Sequence, residues 1–194
     1  MCIRDSNKPG TKIKNLNGGV IGGSLTQGKF SIGDEIEIKP GIQNEKKKNY
    51  QSIHTEIVSL GTGAGIVDVV KPGGLVAIGT KLDPSLTRSD SLIGSVIGKP
   101  DTLPENSTGA KLQVNLFDTA VGSAGETKVT PIKVDELLRV SVGTAPVPAK
   151  VTKVTSDNVE IEFRRPVCIF AKGSVALSRR IAERWRLIGA GVID

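Results

Sequence analysis

Two antiparallel β-barrels in tandem, with no helical layer, make the all-β fold this sequence predicts, and three observations predict it. Apolar and polar residues alternate in short runs, as in Glu35-Ile36-Glu37-Ile38-Lys39, the period of a half-buried strand. The 194 residues include 23 glycines and 10 prolines, the punctuation of many short strands joined by turns. No long amphipathic helical pattern interrupts these runs, and short alternating strands close economically into barrels.

Residues 1–6, Met-Cys-Ile-Arg-Asp-Ser, carry neither the apolar core of a signal peptide nor an amphipathic transit pattern, and read as a truncated or non-native start. A first barrel is expected over 7–97, with strands at 20–26, 36–39, 52–60, 75–80 and 91–97. Between its second and third strands, Gln43 to Asn49 is a charged polar segment with three lysines, read as a solvated loop tip. Pro100 and Pro104 follow a strand closely and mark a joint near residue 98. A second barrel is expected over 98–194, with strands at 110–116, 127–132, 136–142, 145–154, 158–164, 173–179 and 185–193. Ile181 to Trp185 fits one helical turn, and Gly189-Ala190-Gly191 leads into a closing strand.

The octapeptide Gly23-Ser24-Leu25-Thr26-Gln27-Gly28-Lys29-Phe30 matches the spacing of a phosphate-cradling loop up to its last position. That loop needs a hydroxyl after its lysine to hold magnesium, and a helix whose free N–H groups converge on the phosphates. Phe30 supplies neither, and a strand pattern follows. The run reads instead as a hairpin: a strand over 20–26, a turn at Gln27-Gly28-Lys29, and a second turn at Gly33-Asp34. No D-x-x-G occurs in the chain, and Asn7-Lys8 lacks the aspartate of a guanine-reading N-K-x-D.

Composition narrows the function classes. No apolar run approaches the ~18 residues of a membrane-spanning helix. Cys2, Cys168 and the lone His54 have no ligand or disulfide spacing; Cys168, in Pro166-Val167-Cys168-Ile169-Phe170, reads as a small buried hydrophobe. So sparse a cysteine content suits a reducing cytoplasm. The net charge of +6 is shared equally between the halves 1–96 and 97–194 and tolerates an anionic partner such as RNA. At 3% aromatic residues, such a partner would be held through its backbone rather than by stacked bases. No catalytic or metal-ligating set stands out.

A family becomes visible in longer motifs. Asn7-Lys8-Pro9-Gly10-Thr11, Gly18-Gly19-Val20-Ile21-Gly22-Gly23 and the run Gly33 to Gly41 resemble the second domain of the gamma subunit of translation initiation factor two. So do Pro72-Gly73-Gly74-Leu75, the run Gly79 to Asp90, and Leu177-Ser178-Arg179-Arg180 through Gly189. The compact segment at 43–49 is nearer the archaeal form. The resemblance covers residues 7–194 and only the family's second and third domains; the GTP-binding domain would precede Asn7. Residues 1–6 depart from the family pattern.

The resemblance implies two six-stranded barrels that stack on a GTP domain and help carry methionylated initiator tRNA to the small ribosomal subunit in the cytoplasm, within a heterotrimer. It implies no catalytic residue and no cofactor in this chain, with GTP and magnesium in the missing domain. The alpha subunit would dock on the first barrel and the beta subunit on the GTP domain. By position, Lys8, Lys12 and Lys14 would meet tRNA phosphates, while Gly18, Gly19, Gly22 and Gly23 let the backbone approach the tRNA end. The same glycines would also serve a tight bend or bulge. Arg179, Arg180, Arg184 and Arg186 are expected to pair with carboxylates across the barrel or toward the GTP domain, with Trp185 as a packing anchor. Asp83, Arg88 and Asp90 suit an ion-pair network between barrels. The alternative is that these are accessory barrels of another GTPase, such as the elongation factor delivering aminoacyl-tRNA or a sulfate-activating enzyme.

Overall fold

The computed structural model describes residues 18–43, 49–122, 127–156 and 158–194, with the side chains of 88–90 also outside the description. These residues are all-β, apart from one 3-10 turn at Pro84–Asp90. They separate into two compact units, the first comprising 18–42, 52–92 and 97–103, the second 104–194 with the short pieces 43, 49–51 and 93–96.

The first unit holds strands β1 (Val20–Ser24), β2 (Phe30–Ser31), β3 (Glu35–Gln43), β4 (Tyr50–Thr62), β5 (Gly65–Val67), β6 (Val69–Val70), β7 (Leu75–Thr80) and β8 (Val96–Gly98). Its curled sheet runs β1-β7-β4-β3-β8, with β5 on β4, while β2 and β6 form a separate ribbon. Period-two alternation sends Val76 and Ile78 of β7 and Leu60 of β4 inward to pack with Phe30, Ile36, Ile57 and Val70. Strand β3 is buried on both faces, which takes Glu37 and Lys39 out of water as a pair 3.6 Å apart. The lone His54 is exposed.

The octapeptide is no phosphate cradle, because Phe30 opens a strand and not a helix. It is no local hairpin either. Gly28 and Gly33 turn the chain at positive φ, but β1 pairs with β7 (Val20↔Gly79 to Ser24↔Leu75) and β2 with β6 (Phe30↔Val70). A turn signal dictates that the chain reverses; which strand it then meets is decided by burial of Phe30 and Val76 in the common core.

The second unit is a closed barrel, ordered β10-β11-β12-β9-β14-β13, of strands β9 (Asn106–Val121), β10 (Leu137–Val142), β11 (Ala145–Val154), β12 (Asn158–Cys168), β13 (Ser174–Ile181) and β14 (Arg184–Ile193). In β11, Ala145, Val147, Ala149 and Val151 point inward while Pro146, Pro148 and Lys150 face out. The two prolines fall where β11 pairs with β10 alone, since its ladder to β12 begins at Ala149; a residue without N–H is tolerated there. Register shifts in β11–β12, β12–β9, β13–β14 and β14–β9 supply the bends a closed sheet needs. Leu112, Leu138, Val140, Leu177 and Ile188 fill the interior, and Cys168 is buried as a small hydrophobe.

Two local expectations are corrected. Ile181 to Trp185 is not a helical turn: Ile181 pairs with Arg184, and Ala182 and Glu183 at φ 46° and 64° make the two-residue connection of a β-hairpin. Residues 127–132 are no full strand but a strap with one bridge, Thr119↔Lys128.

Candidate functional site

The two glycine pairs of Gly18-Gly19-Val20-Ile21-Gly22-Gly23 exist for different reasons. A Cβ on Gly18 would lie 1.6 Å from the Thr80 carbonyl oxygen, and one on Gly19 2.5 Å from Thr87 Cγ2. These two let β1 close onto the end of β7 and onto the 3-10 turn. The contact is fastened by Gly19 N–H to Leu82 C=O (2.8 Å), Thr80 N–H to Gly19 C=O (3.0 Å) and Thr80 Oγ1 to Gly19 C=O (2.7 Å). Gly22 and Gly23 meet no heavy atom within 4 Å of an added Cβ, and neither has positive φ. Both pair in unbroken register with β7, so neither packing nor a bulge requires them.

The register places Gly22 in a cross-strand row with Ala77, Gly61 and Ile66, and residues directly opposite share a face. On either side of the row lie Ser24 with Leu75, and Val20 with Gly79 and Ser59. None of these residues is charged. Ile66 is 86% and Leu75 62% exposed, so in a chain of net charge +6 this outer face is a bare, neutral platform with an apolar rim. Lys81 and Glu56, paired at 2.5 Å, carry charge nearby in the sequence of two of its strands. Lys8, Lys12 and Lys14 lie outside the described residues.

Asp83 accepts the Ser85 N–H at 2.8 Å at the head of the 3-10 turn. Hydrogen bonds from the Ser85 backbone and hydroxyl hold its carboxyl below the usual carboxylate range. The side chains of Arg88 and Asp90, its expected partners, are outside the description.

In the second unit the arginines divide between two faces. Arg179 and Arg186 stand opposite one another, as do Ile181 and Arg184, whereas Arg180 faces Trp185 and Ser178 faces Leu187. Arg179 bonds Glu136 through Nε at 2.5 Å and Nη2 at 3.2 Å, and reaches Thr130 and Pro131. Arg180 pairs with Glu183. The Arg186 guanidinium lies over Gly122, 3.0 Å from where a Cβ would stand. Arg139, which the sequence reading missed, stacks 5.6 Å from the centroid of the Trp185 ring. Leu137, Val121 and Trp185 are exposed around it, giving an outer face of aromatic, arginine and aliphatic groups typical of interface cores. Only the alternation Leu137-Leu138-Arg139-Val140 could have signalled Arg139, as the outward residue between two inward ones.

A shallow hollow of about 590 Å³ beside Asn115, Phe117 and Thr119 has Asp118 as its one ionisable lining group, too little for acid–base catalysis. Among the described residues no three His, Cys, Asp or Glu side chains converge on a metal position. No helix among them is long and apolar enough to cross a membrane.

A curled sheet in one unit and a closed six-stranded barrel in the other define an all-β protein of the barrel class. The profile described as "Initiation factor eIF2 gamma, C terminal" matches residues 108–193. The chain is 50% identical over 192 residues to the translation initiation factor 2 subunit gamma of Aeropyrum pernix, covering 97% of this chain and 46% of that protein. It is 49% identical to the same subunit of Archaeoglobus fulgidus (97% of this chain, 44% of that protein) and of Methanopyrus kandleri (97% and 46%). The chain belongs to the family of translation initiation factor 2 gamma subunits, of the archaeal kind, and spans about half the length of the curated relatives it matches.

Proposed function

We propose that the chain acts in translation initiation as the part of a gamma subunit that receives the aminoacylated end of initiator methionyl-tRNA and helps deliver it to the small ribosomal subunit in the cytoplasm. The observation that carries this is the bareness of Gly22: the fold does not require a glycine there, yet it keeps a side chain off the exposed, uncharged outer face, while Gly23, opposite Val76, looks to the other face. A neutral, flat surface suits the aminoacyl ester and terminal base, while phosphates want cations; Lys8, Lys12 and Lys14 supply those. Gly18 and Gly19 act beneath the site, by seating β1.

The rest of the heterotrimer follows as part of the same proposal. The alpha subunit docks on the first unit. A GTP-binding domain, carrying GTP, magnesium and the beta subunit, covers the Arg139–Trp185 face, which Arg180 shares. Asp83 orders the head of the 3-10 turn between β7 and β8 by accepting the Ser85 N–H.

The test is to replace the matching part of the Aeropyrum pernix gamma subunit with this chain, add alpha and beta subunits and GTP, and compare filter binding of methionylated initiator and elongator tRNA. Preference for the initiator is expected. Equal binding of both would contradict the proposal and favour an accessory role in another GTPase.

A further inference from the structure

We propose that residues 130–136 form a strap lying against the second barrel, latched by the Arg179 guanidinium, that opens as a unit while the barrel stays folded. The segment forms no strand. Its backbone is tied down at its two ends: Val129 N–H donates to Asp118 C=O (3.0 Å) before it, and Asp135 N–H to Val151 C=O and Val151 N–H to Glu136 C=O (both 2.9 Å) close it. Between these ties the strap is organised around one cation. Arg179 Nε and Nη2 fork onto the Glu136 carboxylate, Nη1 donates to the Thr130 carbonyl and hydroxyl (2.9 Å each), and Nη2 reaches the Pro131 carbonyl (3.3 Å). Glu136 in turn accepts the Lys133 N–H at 3.0 Å. Ile132 is the strap's one buried side chain, at 7% exposure, while Pro131, Lys133, Val134 and Asp135 face solvent.

The pair is sheltered, Arg179 and Glu136 side chains being 15% and 18% exposed, so solvent and salt screen it weakly. A planar guanidinium can serve three acceptor residues at once, which a lysine ammonium cannot do in the same fork. Many bonds through one side chain make the closure cooperative: losing the guanidinium releases Thr130, Pro131 and Glu136 together. Segments with one buried anchor and an exposed backbone open at a small fraction of the global free energy. Glu136 runs directly into Leu137 and β10, so the latch also sets where the Arg139–Trp185 face begins.

Amide hydrogen exchange of the intact chain tests this, in the wild type and in Arg179→Met, Arg179→Lys and Arg180→Met. Losing charge-assisted bonds predicts that the Lys133 and Asp135 amides exchange at least about tenfold faster in Arg179→Met, and by a smaller factor in Arg179→Lys. The Val140 and Ile161 amides, and the emission of the single tryptophan, Trp185, should stay as in the wild type. Arg180→Met, whose partner Glu183 is exposed, should leave the strap unchanged. Unchanged strap amides in Arg179→Met would overturn the latch. Strap and barrel amides accelerating together would overturn independent opening. Should Arg179→Met fail to fold, the wild type decides: exchange at Lys133 flat in low urea while Val140 falls steeply supports a separate opening, and equal slopes refute it.

Discussion

Substituting alanine at Gly18 and at Gly22 separates the two roles of the glycine-rich strand within one sequence run. At Gly18 the new Cβ would stand 1.6 Å from the Thr80 carbonyl oxygen, a backbone atom that cannot swing aside. Strand β1 must therefore withdraw, at a cost of about 3 kcal/mol from overpacking. Withdrawal also stretches the Gly19 bonds to Leu82 and Thr80 at 2.8, 3.0 and 2.7 Å, each worth about 1 kcal/mol. At Gly22 nothing lies within 4 Å and φ is ordinary, so alanine lowers the entropy of the unfolded chain and stabilises by roughly 0.5 kcal/mol. At about 2–4 °C per kcal/mol for a chain this size, calorimetry should find Gly18→Ala melting roughly 10 °C below Gly22→Ala. If both variants melt together, or if Gly22→Ala loses as much as Gly18→Ala, the packing distinction between the two pairs is wrong.

Other expectations concern single sites. Leu138→Ala, at a fully buried position, should cost the second unit about 2–5 kcal/mol in urea unfolding followed by Trp185 emission; a cost below 1 kcal/mol would deny Leu138 its place in the barrel core. Replacing Ala182-Glu183 by Asn-Gly should stabilise the β13–β14 connection by about 0.5–1 kcal/mol, since both positions have positive φ, and a lower melting temperature would speak against that turn. Asp83 is held below its ordinary pKa by Ser85, so its contribution is present above the unfolded-state value and lost as pH falls through the lowered one. Asp83→Asn should flatten that acid limb in a pH-melting series, and an unchanged limb would show that Asp83 does not contribute.

Most strands were legible because the period of two survives wherever one face is wet, as in β11, where Val147, Ala149 and Val151 alternate with Pro148 and Lys150. Pairing was not legible. Nothing in Val20 to Ser24 names β7 as its partner rather than the next strand, because that choice belongs to the shared core. The Ala182-Glu183 hairpin was hidden since its positive φ values carry no glycine or asparagine, and the three-residue β5 and two-residue β2 and β6 are too short to show a period. At the site, the glycines stood out at once, but one motif contained two functions that only Cβ geometry separates. Arg179 was legible as part of a basic cluster; that it gathers Thr130, Pro131 and Glu136 depends on a chain crossing some 45 residues away in sequence.

The most direct measurement is initiator tRNA binding by the hybrid gamma subunit with Gly22→Val, which puts a side chain on the outer face shared with Ala77. That side chain should leave the melting temperature within about 2 °C of the parent while lowering affinity for methionylated initiator tRNA at least tenfold, about 1.4 kcal/mol. Parental affinity in the folded variant would contradict the assignment of this bare outer face to the tRNA end.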